Sequence, residues 1–364
     1  MADSSTKNTD PVERRDEILV EVRDLQTHFF TDRGLVPAVD GVSFTVPYGK
    51  TIGIVGESGS GKSVTARSLM GLVDKPGRIV SGSIELNRQD GSRVDIAQLD
   101  PFGQEMRSIR GAEISLIFQE PMAALSPVHT IGDQIIEMIR LHEDVNEQQA
   151  REQAIAMLKR VDMPKAEDRI DSYTFELSGG MRQRAMIAMA LACGPRLVIA
   201  DEPTTALDVT TQATILDLIR ELQEKFQMSV MFITHDLGVV AEIADEVAVM
   251  YLGRVVERGP VEEIFEEPLH PYTRALVRSI PKLGVRGRHR LEAISGMVPH
   301  PSNRPSGCPF HDRCPSFMPG VCDELVPPAE HRGDHREVSC LLYSDVEAVR
   351  RSQQGDPETV KEDS

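Results

Sequence analysis

A glycine-rich loop with a lysine and a serine is the first group of residues that could do chemistry. Residues 56–63 read Gly-Glu-Ser-Gly-Ser-Gly-Lys-Ser and fit the pattern G-x-x-x-x-G-K-[ST]. Glycines let backbone N–H groups turn toward phosphate oxygens without a clash from Cβ. The lysine would reach the β- and γ-phosphates of a nucleotide, and the serine hydroxyl would bind Mg²⁺. The expected nucleotide contacts are Gly56, Ser58, Gly59, Ser60, Gly61, Lys62, Ser63 and Val64.

Two carboxylates follow the apolar run 197–200, which is typical of a buried strand. An acidic residue at the carboxyl end of such a strand, beside a phosphate loop, can hold Mg²⁺ through water. We assign this role to Asp201, together with the hydroxyl of Ser63. Glu202 is then free to orient and deprotonate the attacking water as a general base. The alternative is an acidic pair that faces solvent at the end of the strand.

A second glycine motif lies at residues 177–184, which read Leu-Ser-Gly-Gly-Met-Arg-Gln-Arg. Ser178, Gly179 and Gly180 precede a helix-forming segment, and the start of a helix favours anions. Alone, the motif could be only a helix cap. Together with the phosphate loop and the downstream Asp-Glu pair, it makes the sequence resemble the ATP-binding-cassette (ABC) ATPases. The resemblance implies that this segment grips the γ-phosphate of ATP bound to the phosphate loop of a second cassette.

The same resemblance implies roles for four more residues. Gln119 matches a loop glutamine that contacts Mg²⁺ and water, and Asp208 matches the loop that communicates across the cassette dimer. His235 matches a histidine that contacts the γ-phosphate beside the general base. Phe29 lies where the family stacks an aromatic ring on adenine, but either Phe29 or its neighbour Phe30 could equally belong to the core. The expected catalytic residues are Glu202, His235 and Gln119, and the expected Mg²⁺ contacts are Ser63, Gln119 and Asp201.

The region after residue 267 resembles one subfamily. Residues 270–276 read His-Pro-Tyr-Thr-Arg-Ala-Leu and residues 307–315 read Gly-Cys-Pro-Phe-His-Asp-Arg-Cys-Pro, which is similar to the ATPases of dipeptide, oligopeptide and nickel importers. Cys308, Cys314, Cys322 and Cys340 lack the paired spacing of a zinc ribbon. Four thiolates in a proline-rich segment could instead hold a 4Fe–4S cluster, which we predict. Zinc and plain reduced cysteines are the alternatives.

The apolar runs indicate which elements position these residues. Runs at 51–55, 114–118, 197–200 and 229–233 predict buried strands, with helical patterns between them at 63–72, 134–161 and 211–226. Such alternation favours an α/β fold with a mostly parallel sheet. We interpret the polar stretch 87–110 as a surface excursion.

The resemblance completes the expected architecture. It implies an ABC-type phosphate-loop domain with a RecA-like core, an antiparallel β subdomain and a helical subdomain at 123–178. We expect this ATPase domain at 18–267 and a small cysteine-bearing C-terminal region of the oligopeptide-importer type at 268–343. Polar, charged segments at 1–17 and 344–364 predict disordered tails.

Composition restricts the partners and the compartment. The formal net charge of −17 disfavours a nucleic-acid partner, because nucleic-acid phosphates attract basic patches. No apolar run approaches the roughly 18 residues of a spanning helix, and the first residues lack the apolar segment of a signal peptide. We expect the five cysteines not to form disulfides, because a chain without a signal peptide is expected to remain in the reducing cytoplasm. From composition we expect a cytoplasmic protein, and the resemblance to ABC ATPases implies a peripheral position on the cytoplasmic face of the inner cell membrane.

The leading function implied by the resemblance is the ATP-hydrolysing subunit of an ABC importer for dipeptides or oligopeptides. It implies ATP and Mg²⁺, two membrane-spanning permease subunits, a second ATPase subunit (an identical copy or a paralogue) and an extracytoplasmic substrate-binding protein. Nickel, oligosaccharides or another small solute are alternative cargoes. The alternatives of other classes are a non-transport ABC ATPase acting on DNA or ribosomes and an exporter ATPase.

Overall fold

A computed structural model describes residues 18–205, 207–280, 294, 296–333 and 335–354. The disordered tail that we expect at 1–17 lies outside these residues, as does the end of the second tail. The strands are β1 Ile18–Thr31, β2 Gly34–Pro47, β3 Thr51–Val55, β4 Gly77–Asn87, β5 Arg93–Asp95, β6 Ile114–Ile117, β7 Leu197–Asp201, β8 Ser229–Thr234, β9 Glu246–Tyr251, β10 Arg254–Pro260, β11 Glu330–His331 and β12 Glu337–Val338.

The larger sheet has the order β11-β12-β10-β9-β3-β8-β7-β6. Its central strands β9, β3, β8, β7 and β6 pair in parallel, as the alternation of strands and helices predicts. β3, β7 and β8 are buried along their whole length, because both faces of this sheet are covered. In β8, Val230 and Phe232 enter one apolar core while Met231 and Ile233 enter another, so neighbouring residues serve opposite faces.

The smaller sheet has the order β2-β1-β4-β5, and all of its pairs are antiparallel. Its inner face carries Leu25, Phe44 and Leu86, which pack with Ile54 and Met250 of the larger sheet in one buried cluster. This sheet therefore covers one face of the parallel core and forms the expected antiparallel β subdomain.

The helical subdomain covers part of the other face. Two of its helices, Ile131–His142 and Glu147–Arg160, each begin with a capping box, formed by Thr130 with Asp133 and by Asn146 with Gln149. The remaining α-helices of the described chain are Lys62–Leu69, Gln104–Ile109, Pro121–Ala124, Ala166–Arg169, Gly179–Leu191, Val209–Phe226, Leu237–Ile243, Val261–Glu266, Pro271–Arg278 and Val346–Gln354. Within the residues that the structure describes, no helix is both long and apolar enough to cross a membrane.

The stretch 87–110 is not the surface excursion that we expected. β5 pairs with β4, and the helix Gln104–Ile109 turns Met106 and Ile109 into the core beneath the antiparallel sheet. Both side chains are almost fully buried. The sequence pattern did not indicate this burial, because polar residues surround the only two inward-facing apolar positions of this short helix.

The C-terminal region packs against the far edge of the larger sheet. β12 pairs with β10, and a third apolar cluster joins Val249 and Tyr251 of β9 to Tyr272, Phe310 and Leu341. The rings of Tyr251 and Phe310 meet edge to face with centroids 5.2 Å apart. The region thus shares a core with the larger sheet.

Val346–Gln354 is a helix, which corrects our expectation of a disordered tail for this part of residues 344–364. Val349 is buried in the third cluster, and Arg350 donates to Glu324 at 3.0 Å and to the carbonyl of Gly320 at 2.8 Å. The sequence signal is weak because Val346, Ala348 and Val349 are the only apolar residues of this polar and charged helix.

Replacing Val349 should release this helix. We expect Val349→Asp to accelerate amide hydrogen exchange of residues 346–354 by about tenfold or more, because it buries an unpaired carboxylate. The matched control is Ala348→Asp, which places the same residue on the exposed side of the same helix. Unprotected amides over 346–354 in the unmodified protein would contradict the folded end.

Candidate nucleotide site

The glycine-rich loop joins β3 to the helix Lys62–Leu69, which is the context that a phosphate loop requires. Gly56 has φ 153° and Gly61 has φ 99°, in the left-handed half of backbone space. A Cβ at Gly56 would collide with the carbonyl oxygen of Met250, and one at Gly61 with that of Ala38. Only glycine fits at both positions, so the loop can pack closely against these two carbonyl groups.

Lys62 is held inside this loop. Its Nζ donates to the carbonyl oxygens of Gly56 at 2.8 Å and Glu57 at 3.1 Å. Burial lowers the pKa of Lys62, while the carboxylates of Glu202, Asp201 and Glu57 act in the opposite direction. A cation in this low-dielectric position is suited to attract the phosphates of a nucleotide.

Ser63 and Asp201 come together as the sequence predicts. The hydroxyl of Ser63 donates to Asp201 Oδ1 at 3.1 Å, across 138 positions of the chain. Burial raises the pKa of Asp201, and the hydrogen bond from Ser63 opposes that shift. A hydroxyl and a carboxylate side by side fit Mg²⁺, which binds a few protein oxygens and completes its shell with water and phosphate.

Glu202 lies at the centre of a small polar network. Its carboxylate accepts from Gln119 Nε2 at 3.1 Å and from Thr205 Oγ1 at 3.0 Å, and its Oε1 lies 3.3 Å from His235 Nδ1. The structure therefore gathers the expected catalytic residues around one carboxylate. Glu202 has φ 46°, a conformation that is uncommon outside glycine, and its N–H donates to the carbonyl of Ile233 at 2.9 Å.

Thr205 is a contact that the sequence reasoning missed. It lies three positions after Glu202, and the N–H of Thr205 also donates to the carbonyl of Glu202 at 3.2 Å. Residues 203–205 read Pro-Thr-Thr, which is typical of a tight turn, and a tight turn brings residues three positions apart into contact. This pattern could have suggested the contact between Glu202 and Thr205.

The second glycine motif begins a helix, as predicted. Ser178 is the N-cap of Gly179–Leu191, and its Oγ accepts from the N–H of Met181 at 3.3 Å. Ser178 and Gly179 are exposed, and a Cβ at Gly179 would meet nothing within 4 Å. The start of this helix therefore presents an open surface.

Asp208 and Phe29 have structural contacts that the sequence did not specify. Asp208 caps the helix Val209–Phe226 by accepting from the N–H of Thr211 at 3.0 Å and from its hydroxyl at 2.7 Å. Phe29 is half-buried on β1 opposite Gly77, where its ring would collide with an added Cβ. Phe30 is exposed, with the guanidinium of Arg78 4.5 Å from its ring centroid.

The four C-terminal cysteines lie in one neighbourhood. Burial raises the pKa of Cys308 to about 12, and the thiols of Cys340, Cys322 and Cys314 add to that shift. Burial likewise raises the pKa of Cys340 to about 11. Among the described residues, however, no three side chains of Cys, His, Asp or Glu are arranged to hold a metal ion. The four thiols therefore lie close together without being grouped as the ligands of one metal ion.

Two known families match separate parts of the chain. Residues 39–205 match the family described as ABC transporter, and residues 256–322 match the oligopeptide/dipeptide transporter C-terminal region. The chain is 49% identical to the oligopeptide transport ATP-binding protein AppD of Bacillus subtilis, over 90% of this chain and 97% of the relative. It is 46% identical to the dipeptide transport ATP-binding protein DppD of Haemophilus influenzae, over 88% and 94% of the two chains.

Solved structures show the same fold. A dimeric structure of a bacterial ABC transporter cassette matches with a TM-score of 0.58 and 24% identity, covering 67% of this chain and 99% of that one. The cbiO1 protein of Clostridium perfringens, part of the ABC transporter complex cbiONQ, matches with a TM-score of 0.57 and 26% identity, covering 69% and 92%. The chain belongs to the ATP-binding proteins of ABC transporters, in the group with the oligopeptide/dipeptide transporter C-terminal region.

Proposed function

We propose that this ABC ATPase drives the import of dipeptides or oligopeptides across the cytoplasmic membrane, on whose inner face it binds. The observation that carries the proposal is the C-terminal region, because its match to the oligopeptide/dipeptide transporter family is additional to the cassette. Relatives named for oligopeptide and dipeptide transport share nearly half of their residues with this chain.

In the proposed reaction the chain's own residues bind the nucleotide and move one proton. Lys62 and the N–H groups of Gly56 and residues 58–63 hold the phosphates. Ser63 and Asp201, with Gln119, would hold Mg²⁺, which neutralises charge on the phosphates when bound. Glu202 orients the attacking water and accepts its proton. His235, 3.3 Å from that carboxylate, contacts the γ-phosphate.

The second glycine motif completes the site of another cassette. Ser178 and Gly179 are exposed at a helix start, which suits an anion held by a different subunit. Two cassettes would therefore enclose two ATP molecules head to tail, with Asp208 at the contact between them. The adenine would stack on Phe29. The second cassette is an identical copy or a paralogue.

A cleft between the core and the helical subdomain supports a permease partner. Its volume is about 480 Å³, and its lining includes Leu72, Phe118, Leu141 and Met189. Leu141 is 68% exposed and Phe118 is 43% exposed, which leaves apolar surface for a short helix of a membrane subunit. Phe118 directly precedes Gln119, so a partner in this cleft would adjoin the catalytic residues.

Replacing Glu202 should separate ATP binding from ATP hydrolysis. We expect Glu202→Gln to keep its affinity for Mg·ATP while phosphate release by the assembled transporter falls by at least about 10²-fold, because the base is lost. Glu221→Gln, on the exposed face of the helix Val209–Phe226, is the matched control and should retain normal turnover. Normal turnover in Glu202→Gln would remove Glu202 from its role.

The transport function is tested in cells that lack this chain. We expect them to lose uptake of a radiolabelled dipeptide or oligopeptide, and to regain it with the unmodified chain but not with Glu202→Gln. Affinity purification from native membranes should recover two permease subunits and a second ATPase. Unchanged peptide uptake with loss of nickel or oligosaccharide uptake would select the alternative cargo, and recovery of ribosomes or DNA-repair proteins would contradict import.

The 4Fe–4S cluster at Cys308, Cys314, Cys322 and Cys340 stays a prediction. To bind the cluster, the four thiols would have to move closer to one another. We expect anaerobically purified protein to be brown and to contain iron and acid-labile sulfide, which Cys314→Ser should remove. Cys193→Ser is the matched control, because this half-buried cysteine lies outside the C-terminal region. Colourless protein with stoichiometric zinc, or with no metal, would contradict the prediction.

A further inference from the structure

The C-terminal region contacts the phosphate loop directly at Glu57, the second residue of the glycine-rich motif. The N–H of Glu57 donates to the hydroxyl of Tyr272 at 2.9 Å. The carboxylate of Glu57 accepts two hydrogen bonds from the guanidinium of Arg313, at 2.7 and 3.0 Å. Both the backbone and the side chain of this loop residue are therefore held by residues outside the cassette match.

These two contacts come from side chains that have little freedom to move. Tyr272 is fully buried, and its ring lies 4.8 Å from that of Tyr251 and 5.3 Å from that of Phe310. The side chain of Arg313 is 4% exposed, and its guanidinium also lies 3.3 Å from the hydroxyl of Tyr251. Since Tyr251 ends the strand beside β3, the contacts are fixed to the sheet that carries the loop.

A second chain of hydrogen bonds links the C-terminal region to the same loop at Ser60. Arg304 pairs with Asp40 and donates to the carbonyl oxygen of Leu252. The next residue, Gly253, donates its N–H to the carbonyl of Ser60 at 2.9 Å. The C-terminal region thus contacts the phosphate loop directly at Glu57 and is connected to it at Ser60 through Leu252 and Gly253.

The ion pair between Glu57 and Arg313 affects the binding of ATP, because Glu57 carries a negative charge. Its carboxylate belongs to a loop that binds an anion, and it is close enough to Lys62 to influence the pKa of that lysine. An unpaired carboxylate here would oppose the phosphates of ATP. Arg313 neutralises it with a bidentate pair, which is the strongest arrangement that these groups form.

We propose that Tyr272 and Arg313 are positioning residues of the ATP site, which hold and neutralise Glu57 and thereby set the affinity of the phosphate loop for ATP. The C-terminal region is then a working part of the nucleotide site. The inference concerns ATP binding and holds whichever solute is imported.

The ion pair is tested by a charge-rescue series in the full-length protein, with a fluorescent ATP analogue and Mg²⁺ as the probe. We expect Arg313→Gln to weaken binding by about tenfold, because the carboxylate is left uncompensated and partly screened. Glu57→Gln should bind within about threefold of the unmodified protein, and so should the double variant Glu57→Gln/Arg313→Gln. The KM for ATP should follow these affinities while kcat stays nearly constant.

The tyrosine contact is tested separately, so that the inference does not depend on one variant that could fail to fold. Tyr272→Phe keeps the buried ring and removes only the acceptor of the Glu57 N–H, and we expect it to weaken ATP binding several-fold. Tyr343→Phe is the matched control, because its hydroxyl bonds to Leu269 and Arg274 within the C-terminal region.

Two results would overturn the inference. One is a double variant that binds ATP as weakly as Arg313→Gln alone, since a purely structural arginine would not be rescued by removing Glu57. The other is equal binding by Tyr272→Phe and Tyr343→Phe. Failure of the unmodified protein to bind ATP would instead contradict the nucleotide site itself, so the two failures are distinguishable.

Discussion

The parallel register of β3, β8 and β7 brings the residues of the candidate site together. Val55 lies opposite Thr234, and Asp201 lies opposite Ile233, so the three strands end at one edge of the sheet. The phosphate loop, the Asp201-Glu202 pair and His235 follow these strand ends directly, and they meet because the strands do. Buried apolar side chains on both faces fix the register, since a shift by one residue would exchange the two faces.

The electrostatics of the site follow from this placement. Buried Lys62 lies among the carboxylates of Asp201, Glu202 and Glu57, and burial and charge act on its pKa in opposite directions. Each carboxylate has its own partner: Ser63 for Asp201, the Gln119, Thr205 and His235 group for Glu202, and Arg313 for Glu57. The chain thereby places the glycine-rich loop and its buried lysine next to acidic side chains. Arg313 of the C-terminal region pairs with the carboxylate that belongs to the loop itself.

Much of this could be predicted from sequence because chemistry and topology coincide in short motifs. The apolar runs that end just before Gly56 and at Asp201 predict strands, and they also indicate the edge of the sheet at which the candidate site lies. The glycines of the loop are required by backbone conformations that other residues rarely adopt. Tyr272 and Arg313 were not predictable, since their contacts depend on how distant segments pack. The contact between Thr205 and Glu202 is local and was missed although the two residues lie in one turn. The helix Val346–Gln354 and the inward-facing Met106 were missed for a related reason, because a few apolar positions in a charged stretch give almost no periodic signal.

In the assembly that we propose, two cassettes share each ATP, with the loop around Lys62 on one side and the helix start at Ser178 on the other. The most direct measurement is a structure of the assembled transporter with a non-hydrolysable ATP analogue and Mg²⁺. We expect the γ-phosphate to lie between Lys62 of one cassette and the serine of the second glycine motif of the other. A nucleotide held by Lys62 while both glycine motifs face solvent would contradict it.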